Sequence, residues 1–91
     1  MIVQKHLIIS GRVQGVGFRA YVLDRARNLE VNGWVKNRLD GKLELIVQGK
    51  ENNIKEMLSM LEEGPAWARV DNIDIKNKTL NNEITDFHIK K

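Results

Sequence analysis

Residues 34–48 read Trp-Val-Lys-Asn-Arg-Leu-Asp-Gly-Lys-Leu-Glu-Leu-Ile-Val-Gln, and this stretch decides the fold. Two strand-like runs flank the pair Asp40-Gly41, and both of these residue types tolerate the positive φ angles that a tight hairpin requires. In the return run, Leu43, Leu45 and Val47 recur at alternate positions, which is the spacing of one face of a strand. The stretch therefore predicts an antiparallel hairpin near the middle of the chain.

An amphipathic helix is predicted on each side of this hairpin. Apolar residues recur at helical spacing before it, at Phe18, Val22, Ala26 and Leu29. They recur again after it, at Ile54, Met57, Leu58 and Leu61. Spacings of three and four residues put each set on one face of a helix. Gly64-Pro65 ends the second helix, because this pair does not continue helically.

Three further strands are predicted outside the helices. They cover residues 4–13 with apolar Leu7, Ile9 and Val13, residues 69–77, and a short segment at 84–89. The element order is then β-α-β-β-α-β with an extra C-terminal strand. This order predicts an α+β sandwich of the split βαβ type, in which one mostly antiparallel sheet carries both helices on one face.

Length and composition limit what the chain can be. The 91 residues suffice for a single domain, residues 1–91, and a net charge of +3 comes from interspersed rather than clustered charges. The absence of cysteine excludes disulfide scaffolds, thiolate metal sites and cysteine nucleophiles. No apolar run approaches the roughly 20 residues of a membrane-spanning helix. We expect a soluble, cytoplasmic protein.

The segment from Gly11 to Arg19 is the first candidate site. It joins a predicted strand to a helix, and its glycines let several backbone N–H groups converge at the helix N-terminus, which favours anions. Arg19 falls in the first helical turn, where a cation opposes the helix dipole. That placement favours a phosphate-gripping role for its guanidinium. The alternative is a surface arginine that follows a purely structural turn.

Two nucleotide-binding motifs are excluded at this loop. Residues 15–20 match the GxGxxA dinucleotide fingerprint, but the following hairpin leaves no room for a doubly wound sheet. No Gly-Lys-Ser/Thr follows at the spacing of a phosphate-binding Walker loop. Asn37 is the second candidate, because its amide can both donate to and accept from a water molecule. On its own, Asn37 is better explained as a turn-forming residue.

Four segments together resemble the acylphosphatase family. Residues 11–19 match its signature G-x-V-Q-G-V-x-F-R, and residues 33–37 with Gly41 and Gly49 resemble a second signature. Residues 64–70 and 87–89 are also similar to the family, so the resemblance covers nearly the whole chain. It implies a ferredoxin-like fold, which agrees with the element order, and hydrolysis of acyl phosphates to a carboxylate and inorganic phosphate.

The resemblance also implies roles for particular residues. Arg19 matches the family's phosphate-binding arginine, and Asn37 matches its water-positioning asparagine. The phosphate cradle corresponds to the backbone N–H groups of Gln14, Gly15, Val16, Gly17 and Phe18. No metal, cofactor or phosphoenzyme is implied, and the partners are an acyl phosphate and the phosphate product, with no nucleic acid and no membrane. We expect a monomer.

Some residues depart from the pattern or lie outside it. Arg38 stands where many members have Ser or Thr, which removes a hydroxyl and could add positive potential. Asp40 is interpreted as a turn residue. His6 and His88 alternate with apolar strand residues, so we expect them at solvent or a sheet edge. Trp67 is expected to cover one end of the core.

Two other functions fit parts of the sequence. RNA-binding domains share the βαββαβ order, but they stack bases on aromatic residues of the central strands, and residues 42–48 contain none. A catalytically silent domain that senses an acyl phosphate would keep the anion loop without turnover. The presence of both Arg19 and Asn37 favours the enzyme.

Overall fold

The structure, a computed structural model, describes all of residues 1–91 and contains five strands and two helices. The elements are β1 (Ile2–Arg12), α1 (Phe18–Asn28), β2 (Asn32–Asn37), β3 (Leu43–Lys50), α2 (Glu51–Glu63), β4 (Arg69–Lys78) and β5 (Phe87–Ile89). The predicted order of elements is confirmed. The boundaries differ at the ends: β3 runs past Gly49, and the last strand is shorter than expected.

The strands form one sheet in the order β4-β1-β3-β2-β5. Every neighbouring pair is antiparallel except β2 and β5, which run parallel. The central β2–β3 hairpin places Asn37 opposite Leu43, next to the turn. Both helices lie on the same face and touch each other, and the Tyr21 hydroxyl of α1 donates to the Met60 carbonyl of α2 at 2.9 Å. The predicted mostly antiparallel ferredoxin-like sheet is therefore confirmed.

The core lies between the sheet and the two helices. The alternating residues predicted for β1 and β3 are buried in it, as are the helix residues Phe18, Val22, Ala26, Ile54, Met57 and Leu61. Leu29 and Leu58 pack at its margin. The expectation for Trp67 is wrong, because this side chain is 80% exposed. It lies in the α2–β4 connection, where no element packs over it.

Helix α1 ends in a hydrogen-bonded reversal that usually contains glycine. The Val31 N–H donates to the Ala26 carbonyl at 2.8 Å, and the Glu30 N–H donates to the Arg27 carbonyl at 3.3 Å. Glu30 has φ 54, the left-handed conformation that this motif requires. This reversal turns the chain into β2 and so fixes where that strand begins.

Candidate active site

The loop of residues 13–17 carries the chain from β1 to the N-terminus of α1. Gly15 and Gly17 have φ angles of 73 and 77, in the left-handed region that favours glycine. Gly17 is the N-cap of α1. A methyl group added at either glycine would meet no atom within 4 Å, so the space beside the loop is open.

The backbone N–H groups of this loop lack acceptors. None from Gln14 to Gly17 donates a hydrogen bond to another backbone group. Helix α1 has no side-chain cap and no acidic residue in its first turn, whereas α2 has Glu51 there. Free N–H groups at the positive end of a helix dipole form a site suited to an anion.

One cleft of about 260 Å³ brings most of the predicted site residues together. Its lining residues are Val13, Gly15, Gly17, Phe18, Arg19, Ala20, Asn37 and Ile89. Val16 does not line it, because its side chain packs against the core. The side chain of Gln14 also does not line it and is held elsewhere. Arg19 and Asn37, which are far apart in sequence, therefore face the same space.

The two polar side chains of the cleft have no partner within the protein. Arg19 is exposed and takes part in no ion pair, whereas Arg25, Arg38 and Arg69 each pair with a neighbouring aspartate. Asn37 is the last residue of β2 and is exposed at the sheet end. Its amide forms no hydrogen bond, so it can bind a water molecule or a ligand.

The turn that follows Asn37 is held by side chains on both of its sides. Gln14 Nε2 donates to the carbonyl oxygens of Arg38 at 2.8 Å and Lys42 at 3.0 Å. Asp40 accepts from the Arg38 guanidinium and, at 3.1 Å, from the Lys42 N–H. The Arg38 hydrogen bond is the main cause that lowers the pKa of Asp40. Arg38 is thus paired with Asp40 within the turn and does not line the cleft.

No carboxylate lines the cleft itself. Asp40 and Glu44 border a second depression of about 430 Å³, which lies against the other side of Asn37. The side chains form no group of three or more His, Cys, Asp and Glu that could hold a metal ion. The cleft therefore offers backbone N–H groups, one guanidinium and one amide, a set of donors whose chemistry suits a tetrahedral oxyanion.

The sheet face opposite the helices does not offer a platform for stacking bases. Strand β3 carries no aromatic residue, Trp34 lies beside it on β2, and the His6 ring on β1 is held by Glu44. Lys90 Nζ lies 4.4 Å from the centroid of the Trp34 ring and Lys36 Nζ lies 5.7 Å from it. Two lysine ammonium groups therefore lie near the Trp34 ring, where a base would stack. The structure gives the RNA-binding alternative no support.

Sequence reasoning missed two side chains that shape the site. It assigned only the backbone N–H of Gln14, whereas the side-chain amide joins the loop to the turn. It expected His6 at solvent or an edge, but His6 is half-buried on the central strand β1 and lies 2.7 Å from Glu44 of β3. The sequence signal for the His6–Glu44 pair is the single acidic residue, Glu44, between two leucines of a predicted strand. That His6 is its partner follows only from the register of the strands.

The fold is an α/β sandwich whose cleft is a candidate anion site. The chain belongs to the acylphosphatase family, whose family model matches residues 5–89. Hydrolysis of acyl phosphates is the activity of that family. An acylphosphatase from Moorella thermoacetica is 43% identical over 89 residues, covering 98% of this chain and 95% of the relative.

Two solved structures extend this similarity to the whole backbone. Acylphosphatase from Bacillus subtilis superimposes with a TM-score of 0.94 at 34% identity, covering 100% of both chains. An acylphosphatase from Coxiella burnetii gives a TM-score of 0.93 at 35% identity, covering 98% of this chain and 93% of that one. Neither helix of the present structure is long and apolar enough to cross a membrane.

Proposed function

We propose that the cleft between the 13–17 loop and Asn37 is the site where this chain hydrolyses acyl phosphates. The observation that carries the proposal is that one cleft is lined by loop glycines with unpartnered N–H groups, by the unpaired guanidinium of Arg19 and by the unpartnered amide of Asn37. Each of these groups can serve a step of phosphoryl transfer to water, and the cleft contains no competing carboxylate.

The phosphoryl group is bound by the loop and by Arg19. The N–H groups of Gln14, Gly15, Val16, Gly17 and Phe18 donate to its oxygens, and the Arg19 guanidinium supplies a fork of charged donors. In a loose transition state, charge collects on these oxygens, so donors already in place lower the barrier. An anion in the cleft also supplies the acceptors that α1 lacks at its N-terminus.

Asn37 holds the attacking water. Its side-chain carbonyl accepts from the water while its NH₂ group donates, which fixes the orientation of the oxygen lone pair. The water oxygen forms a bond to phosphorus as the bond from phosphorus to the carboxylate oxygen breaks. A carboxylate is a good leaving group, and a phosphate oxygen of the substrate accepts the proton of the water. The reaction therefore needs neither a protein base nor a phosphoenzyme.

The proposal also covers the cofactors, domain organisation, location, oligomeric state and partners of the chain. The chain acts without a metal or other cofactor, as a single domain over residues 1–91, and as a cytoplasmic monomer that binds neither nucleic acid nor membrane. Its lack of cysteine is compatible with a reducing compartment. Sedimentation equilibrium of the purified chain measures the oligomeric state, and a dimer mass would contradict that part of the proposal.

The central test is hydrolysis of benzoyl phosphate by the purified chain, followed by the loss of its ultraviolet absorbance, with and without EDTA. We expect catalysis that EDTA leaves unchanged and that inorganic phosphate inhibits competitively. Tight phosphate binding with no turnover would identify a silent anion sensor instead. Activity that EDTA abolishes would contradict the metal-free mechanism.

A further inference from the structure

Glu44 is a half-buried carboxylate that the proposed mechanism does not use. It lies on β3 between Leu43 and Leu45, whose side chains face the core, so its own side chain projects from the sheet face that carries no helix. The side chain is only 20% exposed. A partly buried carboxylate is stabilised by partners, because it has lost part of its hydration.

Three side chains supply these partners. His6 Nε2 lies 2.7 Å from one carboxylate oxygen, while Lys36 Nζ at 3.7 Å and Arg38 Nη1 at 4.0 Å face the other. The hydrogen bond from His6 is the main cause that lowers the pKa of Glu44, with smaller contributions from Lys36 and Arg38. An ionised carboxylate only accepts hydrogen bonds, so His6 donates through Nε2.

Two of these three partners are the chain neighbours of Asn37. Lys36 precedes Asn37 on β2 and lies opposite Glu44 in the strand register, and Arg38 follows it in the turn. Their charged ends meet the same carboxylate oxygen of Glu44. The residues on both sides of Asn37 therefore contact Glu44, which lies on the central strand β3.

Side-chain contacts add to the backbone hydrogen bonds that hold the chain at Asn37, of which the nearest beyond it runs from the Arg38 N–H to the Lys42 carbonyl oxygen at 2.8 Å. Asn37 and Leu43 form the last residue pair of the hairpin, and β2 stops at Asn37. On the helix side, Gln14 holds the turn through the carbonyl oxygen of Arg38. On the opposite side, Glu44 is the residue that contacts both flanks of Asn37. Small displacements of a positioning group are costly for a reaction that depends on orientation.

We propose that Glu44 is a positioning residue for the reaction: through Lys36 and Arg38 it holds Asn37 at the distance and angle that orient the attacking water. This inference rests on the proposed function of the cleft. Glu44 touches neither substrate nor water in this role. It acts on the turnover step through Asn37 and leaves the binding of the phosphoryl group to the loop and Arg19.

The test compares the kinetics of Glu44→Gln with those of the unaltered chain on benzoyl phosphate. Glutamine keeps the size and an acceptor for His6 but removes the charge that faces Lys36 and Arg38. We expect kcat to fall by about tenfold, since misplacement of a catalytic group by ~1 Å costs up to ~10²-fold. The inhibition constant of inorganic phosphate should stay within about twofold, because Glu44 does not line the cleft in which the loop and Arg19 are proposed to bind phosphate. A kcat change below about twofold, or a parallel loss of phosphate affinity, would overturn the proposal.

A double-mutant cycle with Asn37→Ala separates positioning from general destabilisation. If Glu44 acts through Asn37, then Glu44→Gln has no further effect on kcat once Asn37 is alanine. An undiminished effect in that background would overturn the positioning role. If Asn37→Ala itself leaves kcat unchanged, the proposed function of Asn37 fails. If only Asn37→Ala lowers kcat, the role of Glu44 alone fails.

Two more variants complete the experiment. Asp74→Asn removes a carboxylate from the same sheet face. Asp74 lies on β4, opposite Ile8 of β1, and contacts neither Lys36 nor Arg38. The kcat of this variant should be unchanged. Lys36→Met keeps Glu44 ionised while removing one of its contacts, so it serves if Glu44→Gln folds poorly. Like Glu44→Gln, Lys36→Met should lower kcat and leave the inhibition constant of phosphate unchanged. A loss of kcat in Asp74→Asn equal to that in Glu44→Gln would overturn the proposal.

Discussion

The side-chain amide of Gln14 donates a hydrogen bond of 2.8 Å to the carbonyl oxygen of Arg38 and thereby joins the two halves of the cleft. Gln14 belongs to the loop with the free N–H groups, and Arg38 follows Asn37 in the β2–β3 turn. The same nitrogen atom, Nε2, donates a second hydrogen bond of 3.0 Å to the Lys42 carbonyl oxygen on the other side of the turn. The groups that we propose bind phosphate and the amide that we propose holds the water are therefore joined by one side chain.

Replacing this bridge should affect both stability and activity. Gln14→Met keeps the length of the side chain but removes the donor. We expect the free energy of unfolding to fall by about 1–2 kcal/mol, as is usual for two hydrogen bonds. We also expect kcat to fall, because the loop and the turn can separate. Urea denaturation and benzoyl phosphate kinetics measure the two effects, and a variant as stable and as active as the parent would show that the bridge is dispensable.

Arg19→Ala should separate function from stability. We expect the rate to fall by ~10²-fold or more, since a single donor to developing charge is commonly worth that much, and phosphate inhibition should weaken. The free energy of unfolding should stay the same or rise by up to about 1 kcal/mol, because a cation is removed from the positive end of α1. The matched control is Arg27→Ala in the last turn of α1, which removes an equal charge far from the cleft. Equal rate losses in both variants would contradict the assignment.

Asn37→Ala should act mainly on turnover. Losing the amide leaves the attacking water unoriented, and we expect kcat to drop by about 10²-fold. The inhibition constant of phosphate should remain nearly unchanged, since the loop and Arg19 are intact. Asn32→Ala, at the opposite end of β2, is the control. If Asn37→Ala abolished phosphate inhibition while sparing kcat, the two roles would be wrongly assigned.

The sequence predicted those features that depend on local pattern. The turn pair Asp40-Gly41, the alternation of Leu43, Leu45 and Val47, and the glycines of the loop state local backbone preferences, so the hairpin and the strand–loop–helix unit could be read directly. The side-chain role of Gln14 could not. Its acceptors are carbonyl oxygens 24 and 28 residues away, and they become available only when the turn has formed beside the loop.

Other misses have the same physical origin. Glu44 meets His6 across one strand boundary and Lys36 across the other, so its environment depends on the register of three strands. Trp67 is expected from sequence to cover one end of the core, because aromatic residues bury much apolar area on average. Its burial required an element over the α2–β4 connection, and the five strands and two helices leave that connection at the surface.

The reversal after α1 offers a stabilising substitution. Glu30 adopts φ 54, a conformation that costs a residue with a Cβ atom about 1–2 kcal/mol and costs glycine little. We expect Glu30→Gly to raise the free energy of unfolding by about 1 kcal/mol, which corresponds to ~4–8 °C in Tm for a domain of this size. Glu56→Gly, in the interior of α2, should instead lower stability by about 1 kcal/mol. Differential scanning calorimetry of both variants checks the opposite signs, and a lower Tm for Glu30→Gly would contradict the argument.

The charge on Glu44 also predicts how stability depends on pH. The folded state lowers the pKa of Glu44, so the ionised carboxylate favours folding. This contribution is fully present above the unfolded-state value near 4.5, and it is lost as the pH falls below that value through the folded-state pKa. Glu44→Gln lacks the contribution at every pH. The difference in free energy of unfolding between the parent and Glu44→Gln should therefore be largest near neutral pH and should shrink in acid.

Urea denaturation of both proteins from pH 7 to pH 3 measures this difference. Because they share every other carboxyl group, acid titration elsewhere largely cancels. A difference that stayed constant across this range, or grew in acid, would show that the carboxylate is not stabilised by its contacts with His6, Lys36 and Arg38.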